Sequence, residues 1–184
     1  VAIPVSIAES PFAFSQYMLA VVAAPVAEEA FKFAAVYRTV YRDREFDEPM
    51  DGLVYAAAAA LGFASVENPF YVWGGYANED PVTGSPMGSL LAVAAIRAVL
   101  SVPGHVLFSS MWGYALGWAK FTRRRHAARS VVTRGLALAM FLHAAFNLLA
   151  LSALPGALGL LALTAAMWWA FRHRLHRALA TSPH

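Results

Sequence analysis

The chain has 184 residues, of which 59% are hydrophobic and 14% charged, and its formal net charge is +3. A soluble globular chain carries roughly 25% charged residues, so this composition excludes an ordinary soluble domain and predicts a membrane protein, as does a mean hydropathy of +0.52. Cysteine is absent, which removes disulfides, thiolate metal sites and a cysteine nucleophile and leaves oxygen and imidazole groups for any hydrolytic chemistry.

The opening Val1-Ala2-Ile3-Pro4 has no initiator Met and no basic stretch, which reads against a secretory signal peptide, and residues 1–14 are expected to be an incomplete beginning. A hydrocarbon core of about 30 Å needs about 20 mostly apolar helical residues. By that measure the sequence predicts an all-α, polytopic transmembrane helix bundle that forms a single membrane domain over residues 1–184, with about five spans. The first lies within 15–38, with its core from Tyr17 to Tyr37, and the second runs from Gly52 to Trp73. The stretch from Met87 to Lys120 is too long for one straight span and contains Pro103-Gly104. It is expected to form a short broken or interfacial helix at 87–99 and a full span at 100–120, with two spans as the alternative. The fourth span is expected from Gly135 to Leu151 and the fifth from Pro155 to Phe171.

Lys and Arg collect in residues 38–50, in the basic loop 120–134 and in the tail from Arg172, whereas the loop from Gly74 to Pro86 carries Glu79 and Asp80 and no basic residue. Basic loops stay on the cytoplasmic side, so the N-terminus is expected outside and the C-terminus in the cytoplasm. The basic residues at 120–134 read as a topology signal and as contacts for membrane lipids, not as a nucleic-acid surface. Tyr71, Trp73 and Tyr76 fall at the expected outer interface, and Tyr37, Tyr41, Trp118, Trp168 and Trp169 at the inner one.

Ionisable residues inside a span cost about 2.5 to 3.5 kcal/mol each on insertion scales, so several of them imply a protein-lined or wet cavity. Here Glu28, Glu29, Lys32, Glu67, Arg97, His105 and His143 lie in the expected spans. Plain structural readings exist for most of them. Glu28 and Lys32 are four apart and form an ion pair in the plain account, and His143 and Asn147, also four apart, share a helix face. His105 beside Pro103-Gly104 can satisfy backbone groups freed by a break. Glu28 and Glu29 stand about 100° apart on the helix, so one of them is expected to face the cavity and the other a supporting partner such as Arg97. Acids and imidazoles recurring on four spans at compatible depth are better explained by a site in the outer half of the membrane. Such a site suits hydrolysis, either by a carboxylate that activates water or by zinc held by His and Glu with a further Glu as base.

The stretch Glu28-Glu29-Ala30-Phe31-Lys32, the stretch Glu45-Phe46-Asp47-Glu48-Pro49-Met50-Asp51-Gly52, Gly62-Phe63-Ala64-Ser65-Val66-Glu67-Asn68, His105 with Gly113-Tyr114-Ala115-Leu116-Gly117, and His143-Ala144-Ala145-Phe146-Asn147 together resemble the PrsW intramembrane protease family. That family is related to the CAAX-prenyl endopeptidases and bacteriocin-processing membrane proteases. The resemblance implies a multi-pass protease of the bacterial cytoplasmic membrane that cuts a single-span membrane protein, such as a membrane-anchored anti-sigma factor in regulated proteolysis. It implies catalytic roles for Glu28, Glu29, Glu67, His105, His143 and Asn147, with Lys32, Phe63 and Arg97 in support. Glu28 would activate water, and His143 with Asn147 would bind the oxyanion or hold the site. Where CAAX-type relatives carry His in the second motif, this chain has Glu67. A divalent metal, zinc, would be held among Glu29, Glu67, His105 and His143, and a metal-free glutamate mechanism is the alternative. Within the Asp47–Gly52 stretch, Asp51 is expected to cap the second helix after a turn fixed by Pro49. The rival classes are a proton-coupled transporter or channel that uses the same residues and a catalytically inactive homologue that binds a lipid or partner helix.

Overall fold

A computed structural model describes residues 11–77, 84–152 and 154–182, and among these every regular element is helical. The acidic loop residues Glu79 and Asp80 and the first ten residues lie outside that range. We number the helices α1 (Pro11–Met18), α2 (Ala24–Thr39), α3 (Asp51–Ala77), α4 (Pro86–Ile96), α5 (Val102–Phe121), α6 (Arg125–Ala150) and α7 (Leu154–Leu179). Two π-helical turns, Leu19–Ala23 and Arg97–Ser101, join α1 to α2 and α4 to α5 without interruption.

These joints revise the expected break at Pro103-Gly104. A proline clashes with the carbonyl four residues back and gives no N–H, so a helix that continues through it must widen nearby. Here the widening comes one residue before the proline. Val102 N–H bonds Arg97 O and Ala24 N–H bonds Leu19 O, both five residues back, and Pro103 and Pro25 follow directly. The short helix and the full span are therefore one 36-residue helix from Pro86 to Phe121. That helix and His126–Ala150 are, among the described residues, the two long and apolar enough to cross a membrane. In α2 the triad Glu28, Glu29 and Lys32 lowers the hydropathy that marks a span.

α5 is the central helix and packs against α2, α3, α6 and α7. Its residues from Gly104 to Gly117 are almost all buried. The closest approach is to α3, where small residues let the backbones touch. A Cβ at Gly113 would run into Ala56 and the Gly52 carbonyl, and one at Gly117 would run into the Pro49 carbonyl. One end of the bundle is closed by the 40–50 loop. Phe46 is buried there, and Lys120 donates to the Asp43 carbonyl at 3.1 Å while its ammonium stands 4.5 Å from the Phe46 ring centroid. Asp51 does not cap forward as the sequence predicts. Its Oδ2 accepts from the Asp47 and Glu48 N–H groups at 2.8 and 2.9 Å, so it ties the preceding turn to the start of α3. The basic segments at the end of α2, between α5 and α6, and at the end of α7 share this end of the bundle.

Candidate active site

The ionisable residues of α2, α3, α5 and α6 meet in one place. Glu29 is its anchor. Its carboxylate has no solvent exposure, and Oε2 accepts from Ser109 Oγ and Trp112 Nε1, each at 3.0 Å. Oε1 is ion-paired with Lys32 and lies 3.3 Å from His143 Nδ1, off the direction of a good hydrogen bond. A buried carboxylate needs several donors to offset its desolvation, and this one has them on α2 and α5.

Spacing alone pairs Lys32 with Glu28, but Lys32 pairs with Glu29. Positions three and four residues away are both within reach of a lysine. The fully desolvated charge takes the ammonium, because Glu29 is on the helix face that packs against α5. Arg97 likewise does not support Glu29. It sits in the π-helical turn facing α3, where its guanidinium pairs with Glu67, its Nε donates to Asn68 Oδ1 at 2.7 Å, and it covers the Tyr71 ring at 3.9 Å from the centroid.

The two imidazoles are fixed by rings and by their neighbours. His143 stacks on Phe108 with centroids 4.6 Å apart and meets His105 edge-on at 5.1 Å. Phe63 packs against His105 at 5.6 Å and under the Lys32 ammonium at 5.0 Å. Lysine can only donate, so the 3.3 Å contact from Lys32 Nζ to His105 Nδ1 makes that nitrogen an acceptor. A neutral His105 then carries its proton on Nε2, 3.1 Å from Glu67 Oε2. His143 turns Nδ1 toward Glu29 Oε1 and Nε2 toward Glu28 Oε2, 3.7 Å away, so a carboxylate faces each ring nitrogen.

Glu28 Oε2 is buried and has no hydrogen-bond partner, in contrast to its neighbour Glu29. The donor atoms of Glu28, His105 and His143 lie within 4.8 Å of one another. Two ligand atoms about 2.1 Å from a tetrahedral ion stand roughly 3.4 Å apart, so this group has the donor types and approximate spacing of a zinc or other divalent site. It differs from the expected set. Glu29 is ion-paired with Lys32 and Glu67 with Arg97, and Glu28 takes their place beside the two imidazoles.

Asn147 lines the same cavity as His143 but takes its hydrogen bond elsewhere. Its Nδ2 donates to the Ala20 carbonyl at 2.9 Å. In the five-residue register of the first π-helical turn that carbonyl would be addressed by residue 25, which is proline and has no N–H. Asn147 therefore supplies the missing donor and ties the α1 arm to α6. We expect Asn147→Ala to lower stability by about 1 to 3 kcal/mol, the cost of leaving a partly buried carbonyl unpaired, read as an earlier unfolding midpoint in detergent. An unchanged midpoint would remove this role.

Sequence reasoning missed Ser109, Trp112 and Phe108. The signal was available, since Phe108, Ser109 and Trp112 stand three, four and seven residues after His105 and so share its helix face. It also missed Tyr71, one turn beyond Glu67. Beside the cluster a cavity of about 210 Å³ runs from Glu67, Arg97, His105, His143 and Asn147 to an apolar floor of Leu100, Phe108, Phe146 and Leu160.

Residues 2–171 match a family model described as PrsW family intramembrane metalloprotease. Three curated relatives are each named Protease PrsW. That of Geobacillus kaustophilus (strain HTA426) is 35% identical over 182 residues, 91% of this chain and 73% of that protein. That of Oceanobacillus iheyensis is 32% identical over 151 residues, 82% of this chain and 63% of the relative. That of Bacillus subtilis (strain 168) is 29% identical over 142 residues, 77% and 58% respectively. The chain thus spans about half to three quarters of the length of the curated relatives it matches. No solved structure matches it.

Proposed function

Because this chain belongs to the PrsW protease family, and is on that ground a membrane protein, we propose that it is an intramembrane endopeptidase whose proton acceptor is Glu28. The observation that carries this reading is the buried Glu28 Oε2, without a hydrogen-bond partner and 3.7 Å from His143 Nε2. A water placed between them would give its proton to Glu28 as its oxygen attacks the scissile carbonyl carbon. When the C–N bond breaks, Glu28 returns that proton to the leaving amine. Asn147 spends one amide hydrogen on Ala20 and has a second for the oxyanion, and Arg97 adds positive charge at the same cavity wall. Glu29, through Lys32 and His143, holds the imidazole orientation.

The donor set of Glu28, His105 and His143 fits a divalent ion, zinc by ligand type. Such an ion would polarise the carbonyl and acidify water. His105 would join through Nε2 only if Lys32 rests on Glu29 alone, since an imidazole that ligates through one nitrogen keeps its proton on the other. Glu67, on the cavity wall, is then the carboxylate left to accept a proton.

The substrate would be a single-span membrane protein, a membrane-anchored anti-sigma factor by family likeness. An apolar side chain beside the scissile bond would sit on Phe146 and Leu160. The proposed setting is the bacterial cytoplasmic membrane with five spans, N-terminus outside and C-terminus inside, which agrees with the shared basic end of the helices. The test uses the purified chain in detergent with a single-span reporter, with and without a strong zinc chelator, and with metal content measured on the same sample. Cleavage is expected. Loss of at least about 90% of the rate on chelation, restored by zinc, assigns the metal-loaded mechanism, whereas chelator-resistant cleavage by metal-free protein assigns the metal-free one. An uncut reporter with proton-coupled uptake would instead mark a transporter, and an uncut reporter with retained lipid a binding homologue.

A further inference from the structure

At the basic end of the bundle, away from the ionisable cluster, α5, α6 and α7 enclose a cleft of about 470 Å³. Its floor is apolar, formed by Met111, Ala115 and Leu138, and its rim carries Arg134 from α6 with Arg174 and Arg177 from α7. No carboxylate lines it, and among the described residues none of the three guanidinium groups is ion-paired. The exposed Trp169 also lines the cleft. Arg174 is half-buried and spends one N–H on the Ala170 carbonyl of its own helix at 3.2 Å. Burial holds its pKa below the ordinary arginine value, with the charge of Arg177 acting in the same direction and Tyr114 opposing it.

Three converging cations without a counter-ion repel one another, so the arrangement is complete only with an anion. Arginine forks suit phosphate oxygens, which they can bind bidentately. The rim alone would serve any phosphate. The floor adds a second requirement, since an apolar surface between membrane helices is covered by hydrocarbon. Tryptophan is the ring favoured where hydrocarbon meets headgroups.

We propose that this cleft binds the phosphodiester of an anionic phospholipid, with Arg134, Arg174 and Arg177 on the phosphate and an acyl chain on Met111, Ala115 and Leu138. The inference does not rest on the peptidase reading. It accounts for positions that a topology signal leaves unspecified, because basic residues anywhere in these segments would orient the chain equally well, whereas these three face one cleft from two helices.

The purified full chain, delipidated in neutral detergent, is titrated with phosphatidylglycerol, with phosphatidylcholine of the same acyl composition, and with inorganic phosphate alone. Bound lipid is read by native mass spectrometry and the unfolding midpoint by thermal scan. Phosphatidylglycerol is expected to stay bound and to raise the midpoint, phosphatidylcholine and inorganic phosphate to do neither, and the triple variant R134Q/R174Q/R177Q to bind it at least about tenfold more weakly. Should the triple variant not fold, Arg134→Gln alone gives the same readout, because the Arg134 side chain is exposed and makes no hydrogen bond among the described residues. Equal binding of phosphatidylcholine, stabilisation by inorganic phosphate alone, undiminished binding by the variants, or displacement of the lipid by an acidic peptide would each overturn the proposal.

Discussion

Replacing Glu28 with glutamine should lower cleavage of a single-span reporter by about 10²- to 10⁴-fold, the range a positioned proton acceptor contributes, while the unfolding midpoint stays where it is. The second half of that expectation follows from the hydrogen-bond pattern. Glutamine keeps the shape of glutamate, and Glu28 Oε2 receives no hydrogen bond whose loss would leave a donor stranded. Neutralising a partly buried carboxylate removes a desolvated charge, so the folded state loses nothing by it. His143→Ala should lose activity to a similar extent, since it removes the imidazole that faces Glu28 across 3.7 Å. The measurement is initial cleavage rate beside a thermal scan of the same preparation. A Glu28→Gln protein that cuts at the wild-type rate would remove Glu28 from the chemistry.

The neighbouring substitution should do the opposite. Glu29→Gln leaves the buried Lys32 ammonium without its anion and weakens the bonds from Ser109 and Trp112. Breaking a buried pair by removing one partner typically destabilises by about 3 to 5 kcal/mol. Activity should fall with it, through the lost orientation of His143 as well as through unfolding. A double variant separates the two causes. In Glu29→Gln with Lys32→Met neither charge is stranded and the glutamine oxygen can still accept from Ser109 and Trp112, so most of the stability should return while cleavage stays low. If the double variant is as unstable as Glu29→Gln, the pair is not what holds α2 to α5. If it regains full activity, Glu29 does not position His143.

Two adjacent glutamates thus have separate duties, and the sequence contains the reason without disclosing which is which. Residues about 100° apart on one helix cannot face the same way, so one of Glu28 and Glu29 had to point elsewhere. The choice depended on where α5 presents Ser109 and Trp112, which is a matter of packing between helices and has no trace in the spacing of α2. The same holds for Lys32, which reaches either glutamate. The all-helical class was legible from composition, as was the gathering of His105, His143, Glu28 and Glu67, because lone ionisable groups in apolar helices must find one another or water. The partner of Asn147 was not legible. It depends on a carbonyl that Pro25 leaves open across a helix contact, and no pattern within α6 points to it. The break expected at Pro103 failed for a related reason: a helix held on several sides by neighbours can absorb a proline by loosening one turn.

Those loosened turns bear on how the site tolerates change in chain length. A π-helical turn is a helix with one surplus amino acid spliced into its winding. Shortening Arg97–Ser101 by one residue would let the winding tighten into ordinary helix, and every side chain upstream would swing by about 100° relative to His105. The overall greasiness of the segment would barely alter, and membrane insertion with it. Arg97, however, would lose its aim at Glu67, so a single-codon loss here would give a protein that assembles and yet has its electrostatic compass turned.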